Sequence, residues 1–288
     1  MDDTEWLAIL AMGGLFLAAQ FIALAAIHPF QAAGVQAFEN PDDPANILQI
    51  VLVVVVFTAV ILFIARYRQN IIKYIILFVF FFSLLYIFEA FLLVLTSHGL
   101  ASTVGAFALA VGGIILLLLH PEWYVVDGIG VLMAGGIIAI FGTSLSIPLV
   151  IALLVILAVY DAISVYKTKH MLSLADAVVG ENLPLLMVVP KKQGYSFLEQ
   201  AELGKKRDAL FMGLGDAIIP GILGAAAYLA AGLTVAVVTI LGTLAGYFYL
   251  MRLAATGNPQ AGLPCLNGGA LAGYLLASLA VHGSIIGF

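Results

Sequence analysis

The chain has 288 residues, of which 64% are hydrophobic and 9% are charged, and its formal net charge at pH 7 is -5. A soluble domain carries about 25% charged residues, so the composition excludes a soluble globular protein and predicts a polytopic membrane protein. The single cysteine excludes an internal disulfide, and the five scattered histidines lack zinc-binding spacing, so we expect neither a metal nor another cofactor.

Nine apolar runs are long enough to cross a bilayer, which requires about 20 mostly apolar residues per helix. The first run follows an acidic N-terminus, so we expect it to be a retained span rather than a cleaved signal peptide. The predicted fold class is therefore an all-α polytopic membrane protein with nine transmembrane helices. The predicted spans lie near 5–28, 46–65, 72–96, 100–119, 123–142, 146–166, 210–230, 232–251 and 264–286.

The basic residues predict an orientation, because cytoplasmic joints between spans carry an excess of Lys and Arg. With nine spans, all 11 basic residues fall in the second, sixth and eighth joints, which lie on one side of the membrane. They are Arg66, Arg68, Lys73, Lys167, Lys169, Lys191, Lys192, Lys205, Lys206, Arg207 and Arg252. The first joint, residues 39–44, is acidic and lies opposite. We therefore expect a cytoplasmic N-terminus and a C-terminus outside.

A long polar segment divides the chain into three parts within one membrane domain. Residues 1–166 form an N-terminal six-helix part, residues 167–208 a cytoplasmic loop, and residues 209–288 a C-terminal three-helix part. Within the loop, residues 173–181 are compatible with a short amphipathic helix. Residues 183–190 form an apolar run between prolines, which is typical either of a short β-strand or of a loop resting on the membrane surface.

Two aspartates interrupt apolar spans on either side of this loop. Asp161 lies near the inner end of the sixth span and Asp216 near the start of the seventh, where Gly213 and Gly215 precede it. A carboxylate at such a position is costly and is a functional hypothesis by default. At a helical rise of 1.5 Å per residue, both lie roughly 9–12 Å below the inner surface.

Two carboxylates at matched depth on sequential antiparallel spans can face each other and share a proton. In that state one carboxylate can deprotonate a water that attacks a carbonyl, while the other acid protonates the oxygen and the leaving amine. The spacing therefore favours an aspartic protease. The alternative for each acid is a structural hydrogen bond to a neighbouring helix.

These residues carry a resemblance to a known family. Tyr160-Asp161 followed by Gly213-Leu214-Gly215-Asp216 resembles the YD…GxGD signature of the presenilin and signal peptide peptidase family of intramembrane aspartyl proteases. The family's Pro-Ala-Leu motif has its counterpart in Pro264-Cys265-Leu266, where Cys replaces Ala. The order of the three motifs and the nine predicted spans extend the resemblance over essentially the whole chain.

The resemblance implies that Asp161 and Asp216 are the catalytic pair and that no metal takes part. It implies supporting roles for Gly213, Leu214 and Gly215 around the second acid. Pro264, Cys265 and Leu266 would lie near the active site and help to receive substrate. Tyr160 is a further candidate for active-site support, with an interfacial belt residue as its alternative.

The implied partners are transmembrane peptide or membrane-protein substrates within a lipid bilayer, and no nucleic acid is expected. The expected orientation resembles presenilin rather than signal peptide peptidase and would favour substrates with their N-termini outside. A helical substrate must unwind before cleavage, and residues 185–189 are a candidate edge for strand addition. The sequence leaves open the natural substrate and the oligomeric state, including a homo-oligomer.

Two other classes compete with the protease. An ion channel or proton-coupled transporter would use Asp161, Asp216 and Glu89 to line a pathway, but no internal repeat supports it. A prepilin-peptidase-like enzyme also uses GxGD, yet the Pro264-Cys265-Leu266 counterpart disfavours it. For Glu89 a hydrogen-bonded structural role is the favoured interpretation. Asp127 lies near the start of its span, and we also interpret it as structural.

Overall fold

The chain folds into a bundle of membrane-spanning helices. The computed structural model describes residues 3–67, 69–96, 99–168, 185–192, 195–196, 209–255 and 260–288. Within these ranges it contains nine α-helices, one turn of π-helix at Ser164–Thr168 and two β-strands. The helices are α1 Asp3–Ala32, α2 Ala45–Tyr67, α3 Gln69–Thr96, α4 Gly99–Leu119, α5 Trp123–Ser144, α6 Ile147–Ile163, α7 Leu214–Ala231, α8 Leu233–Ala254 and α9 Gly262–His282.

Each of the nine helices overlaps one of the nine predicted spans. Eight of them are long and apolar enough to cross a membrane, and α2 contributes the shorter apolar stretch Ala45–Ile61 among the residues searched. The joint between α7 and α8 is very short. Gly232 alone separates α7 from α8, and its positive φ of 87° is a conformation that glycine adopts without a steric penalty.

A two-stranded antiparallel sheet precedes α7. Strand β1, Leu186–Pro190, pairs with β2, Ala209–Gly213, in a register that places Val188 opposite Phe211. The strand alternative for residues 183–190 is therefore confirmed over the surface loop. The amphipathic helix suggested for residues 173–181 lies outside the described residues.

The predicted start of the seventh span at residue 210 is wrong. Residues 209–213 form β2, and α7 begins only at Leu214. The apolar character of Leu210, Phe211 and Met212 continues directly into the helix, so hydropathy alone cannot separate strand from helix. Pairing with the distant β1 decides the conformation of these residues.

Asp127 anchors the sheet to the helical bundle. Its side chain, on α5, is 3% exposed, and its Oδ1 atom accepts a hydrogen bond of 2.7 Å from the backbone N–H of Val188. Since a buried amide without a partner is costly, this bond holds β1 against α5. This contact supports the structural interpretation of Asp127.

Helix α7 occupies the centre of the bundle, where it contacts α1, α5, α6, α8 and α9. By contrast, α2 packs only loosely, against α3 and α6, and much of its surface is exposed. The backbones of α8 and α9 approach each other closely. A Cβ atom added to Gly269 would collide with the backbone carbonyl of Gly242, so these glycines let the two backbones approach directly.

Candidate active site

Asp161 lies in the last turn of α6, immediately before the π-helical turn. Its side chain is 5% exposed. The carboxylate Oδ2 accepts a hydrogen bond of 3.0 Å from the backbone N–H of Leu263, and the backbone of Gly262 also donates to this carboxylate. Asp161 is therefore fixed by the backbone that begins α9, a helix about 100 residues further along the chain.

Asp216 lies in the first turn of α7, and its position explains the spacing of the glycine motif. Gly213 is the N-cap residue of this helix, which makes Asp216 the third helical residue. A carboxylate at that position can reach back to the N-cap backbone N–H, and the Asp216 carboxylate does interact with the backbone of Gly213. A negative side chain is also favoured there by the helix dipole.

Pro220 loosens the same turn of α7. It lies four residues after Asp216 and has no backbone N–H, so the Asp216 carbonyl lacks its regular helical donor. The first turn of α7 is therefore bound less tightly than an uninterrupted helix. The backbone of Asp216 is therefore less constrained than it would be in a regular helix.

The two acids meet in one cavity of about 350 Å³, which both side chains line. They are close enough for the charge of Asp161 to act on Asp216. The backbone turn that bonds Asp161 also lies beside Asp216, since a Cβ atom added to Gly262 would lie 3.4–3.5 Å from the Asp216 carboxyl atoms. Most other wall residues are apolar, among them Val54, Phe141, Leu157 and Ile219. A polar pair inside an apolar chamber is suited to proton transfer at a substrate amide.

The other predicted site residues fall into two groups. Tyr160 and Gly215 line the cavity, and a Cβ atom on Gly213 would lie 3.2 Å from Oδ2 of Asp216. Leu214 does not line it, because its side chain is buried in a core cluster while its backbone N–H donates to Leu185.

The Pro264-Cys265-Leu266 motif lies next to the cavity rather than in its wall. Pro264 is exposed, Cys265 packs against Gly246 of α8, and Leu266 is fully buried in the core formed with α1 and β1. None of these three side chains lines the cavity, so no contact supports the expectation that they receive substrate. Their packing instead fixes the start of α9, and with it the N–H of Leu263.

Sequence reasoning missed the segment just before the motif. Leu263 lines the cavity and bonds Asp161, and Tyr166 secures the preceding residues. The Tyr166 hydroxyl donates to Oε1 of Gln260 at 3.0 Å and accepts the N–H of Ala261 at 3.4 Å. These contacts depend on backbone groups and on partners more than 90 residues apart, so no local sequence pattern marks them.

Glu89 is not part of this site. It lies on α3, where its Oε1 accepts a hydrogen bond of 2.7 Å from the Thr103 hydroxyl of α4, and it does not line the cavity. This hydrogen bond is the kind of contact that the structural interpretation of Glu89 predicts. Among the described residues, no group of three or more His, Cys, Asp or Glu side chains is placed to hold a metal ion.

Comparison with known proteins identifies relatives of this chain. Residues 13–283 match the family model described as signal-peptide peptidase, presenilin aspartyl protease. Two solved structures of a presenilin family intramembrane aspartate protease are similar to the chain. The one in space group C222 has 36% identity, a TM-score of 0.73 and coverage of 95% of this chain and 99% of that chain. The one in space group P2 has 37% identity, the same TM-score and coverage of 96% and 100%.

Comparison with curated protein sequences gives no match. The matches that are found extend over nearly the whole chain and include the segments that carry both acids. They give no support to a channel or transporter. The chain therefore belongs to the presenilin and signal peptide peptidase family of aspartyl proteases, and it cleaves membrane-protein substrates within the bilayer.

Proposed function

We propose that Asp161 and Asp216 are the catalytic pair of this protease. The observation that carries the proposal is their convergence on one apolar cavity, where the Gly262-Leu263 backbone bonds Asp161 and lies beside Asp216. One carboxylate takes a proton from water as the oxygen attacks the scissile carbonyl. The other acid protonates the carbonyl oxygen, and proton transfer to the amine then releases the product.

The direct test is cleavage of a fluorogenic transmembrane peptide by the purified full chain in a bilayer. The proposal predicts two fragments that end within the apolar part of the peptide. Ion flux through the same membranes without peptide cleavage would contradict the proposal and favour a channel or transporter. The effect of changing each acid is developed in the Discussion.

We further propose that the unwound substrate adds to the outer edge of β2. The backbone N–H of Leu214 donates to the carbonyl of Leu185, which makes residues 185 and 214 a hydrogen-bonded pair. Because such pairs alternate along an antiparallel ladder, the N–H and C=O of Phe211 point away from β1. An extended substrate could use these groups as it loses its own helical hydrogen bonds.

The same register argues against the edge suggested at residues 185–189. The N–H of Val188 also points away from the ladder, but it is already bonded to Asp127 of α5. Strand β1 therefore has a helix on its outer side. We therefore propose β2 rather than β1 as the edge that binds substrate. Strand β2 leads directly into the turn that carries Asp216.

Replacing Phe211 by proline is expected to lower kcat/KM for the transmembrane peptide about tenfold or more. The change removes one outward N–H, at a cost comparable to an unmade buried hydrogen bond. The control is Phe211→Ala, which removes the side chain but keeps the N–H. If both variants fold and cleave at the same rate, the outer edge of β2 does not bind substrate.

We propose that the N-terminus faces the cytoplasm. The support is the placement of all 11 basic residues in joints on one side, with acidic residues in the first joint opposite. After Cys265→Ala, a single cysteine at the exposed Glu39 should react with an impermeant maleimide on intact cells. A single cysteine at the exposed Lys192 should react only after permeabilisation. The reverse pattern would overturn the orientation.

A further inference from the structure

A second cavity lies on the surface, between the first turns of α1 and the last turns of α8. Its volume is about 430 Å³, and we call it the α1–α8 groove. Its lining includes Trp6 and Ile9 of α1 and Ala245, Phe248, Tyr249 and Arg252 of α8. It shares no lining residue with the cavity that holds the two aspartates. The mechanism proposed above does not use it.

The floor of this groove is held in place by a buried hydrogen bond. The hydroxyl of Tyr247 is directed from α8 into α1, where it donates to the backbone carbonyl of Ile9 at 2.9 Å. Tyr247 is fully buried, so the contact between the two helices does not depend on solvent. The groove is therefore preformed, which lowers the cost of binding a ligand.

The mouth of the groove carries a cation. Arg252 is exposed in the last turn of α8, and among the described residues no carboxylate forms a salt bridge with it. The nearest acid in sequence to Trp6, Glu5, pairs instead with Lys191 at 3.8 Å. Trp6 and Tyr249 line the same groove as the arginine and are 44% and 59% exposed. Such aromatic side chains are typical of the membrane–water interface.

We propose that the α1–α8 groove binds an anionic phospholipid. The Arg252 guanidinium pairs with the headgroup phosphate, for which its planar set of donors is suited. The indole N–H of Trp6 is a second donor at the mouth. The acyl chain lies along Ile9, Ala245 and Phe248, which continue from the cation into the apolar part of the bundle. Basic pockets between transmembrane helices at one membrane face recognise anionic headgroups in this way.

The chain provides its own fluorescent reporter. It contains two tryptophans, so Trp123→Phe leaves Trp6, in the groove, as the only one. The full-length Trp123→Phe protein is placed in bilayers containing lipid with brominated acyl chains, which quench nearby tryptophan. The brominated lipid is either phosphatidylglycerol, which is anionic, or phosphatidylcholine, which is zwitterionic.

Brominated phosphatidylglycerol is expected to reach half-maximal quenching at about fivefold lower mole fraction than phosphatidylcholine, the ratio that one basic residue typically contributes. Adding Arg252→Gln should remove that preference, while Arg252→Lys should retain part of it. Ala245→Phe should fill the groove and reduce quenching by both lipids. The control Ala101→Phe, at an exposed alanine of α4, should leave the quenching by both lipids unchanged.

Two results would overturn the proposal. Equal quenching by both lipids, or a preference that survives Arg252→Gln in a protein with unchanged thermal unfolding, would show that no anionic site exists there. Protection of Trp6 from both lipids, together with a doubled particle mass, would show that a second copy of the chain covers the groove.

Discussion

Replacing Asp161 or Asp216 by asparagine is expected to lower kcat/KM for peptide cleavage by at least about 10³-fold, the scale of general acid–base catalysis. Asparagine keeps the size and polarity of each side chain but cannot exchange a proton with water or substrate. Because the two acids act on one reaction as a unit, the double variant should be scarcely less active than either single variant. The initial rate of cleavage of a fluorogenic transmembrane peptide is measured for the two single variants and the double variant.

Asp127→Asn is the matched control for this experiment. Asp127 is also a buried acid in a membrane-spanning helix, but it lies outside the cavity, and asparagine still offers an acceptor to the N–H of Val188. Most activity should therefore remain. An Asp161→Asn or Asp216→Asn protein that folds normally and cleaves at the native rate would show that the pair is not catalytic.

The second large effect is expected at the seam between α8 and α9. Gly269→Val places a branched side chain where a Cβ atom already collides with the Gly242 carbonyl and lies 3.1 Å from the α carbon of Gly246. Overpacking of this kind costs about 1–3 kcal/mol and more where backbone must move. Since α9 carries the N–H that bonds Asp161, kcat/KM should fall together with the free energy of unfolding.

Gly268→Val separates this collision from the general effect of valine in a helix. Gly268 is the adjacent residue of α9, and a Cβ atom there has nothing within 4 Å. Both changes alter helix propensity in the same way, so their difference isolates the contact with α8. Thermal unfolding and kcat/KM are measured for both. Equal effects of the two substitutions would contradict the close-packing account.

The helices and the two acids could be predicted because the bilayer imposes strong local rules. A span needs a long apolar run, and a carboxylate within such a run is costly enough to be a candidate for a site. Glu89 and Asp127 also lie in spans, so the paired motifs around Asp161 and Asp216 were needed to single out these two acids. The number of residues between each aspartate and the polar loop then predicted that both lie at the same depth in the membrane. The structure places both in one cavity. Composition alone was sufficient for the membrane assignment.

The remaining features depend on contacts between distant parts of the chain. Residues 210–213 are as apolar as a helix start, and only their pairing with residues 186–189 makes them a strand. The donor to Asp161 is the backbone N–H of Leu263, which any residue except proline would supply. Leu266 belongs to a recognisable motif, yet its side chain packs in the core rather than facing the cavity.

The most direct test of the catalytic pair is binding of a transmembrane peptide in which a hydroxyethylene group replaces the scissile amide. Its hydroxyl mimics the tetrahedral intermediate, so an enzyme that stabilises that state should bind it far more tightly than the substrate peptide. The account predicts tight binding to the native chain and about 100-fold or greater loss with Asp161→Asn and with Asp216→Asn. Undiminished binding to either folded variant would contradict the assignment of these two aspartates as the catalytic pair.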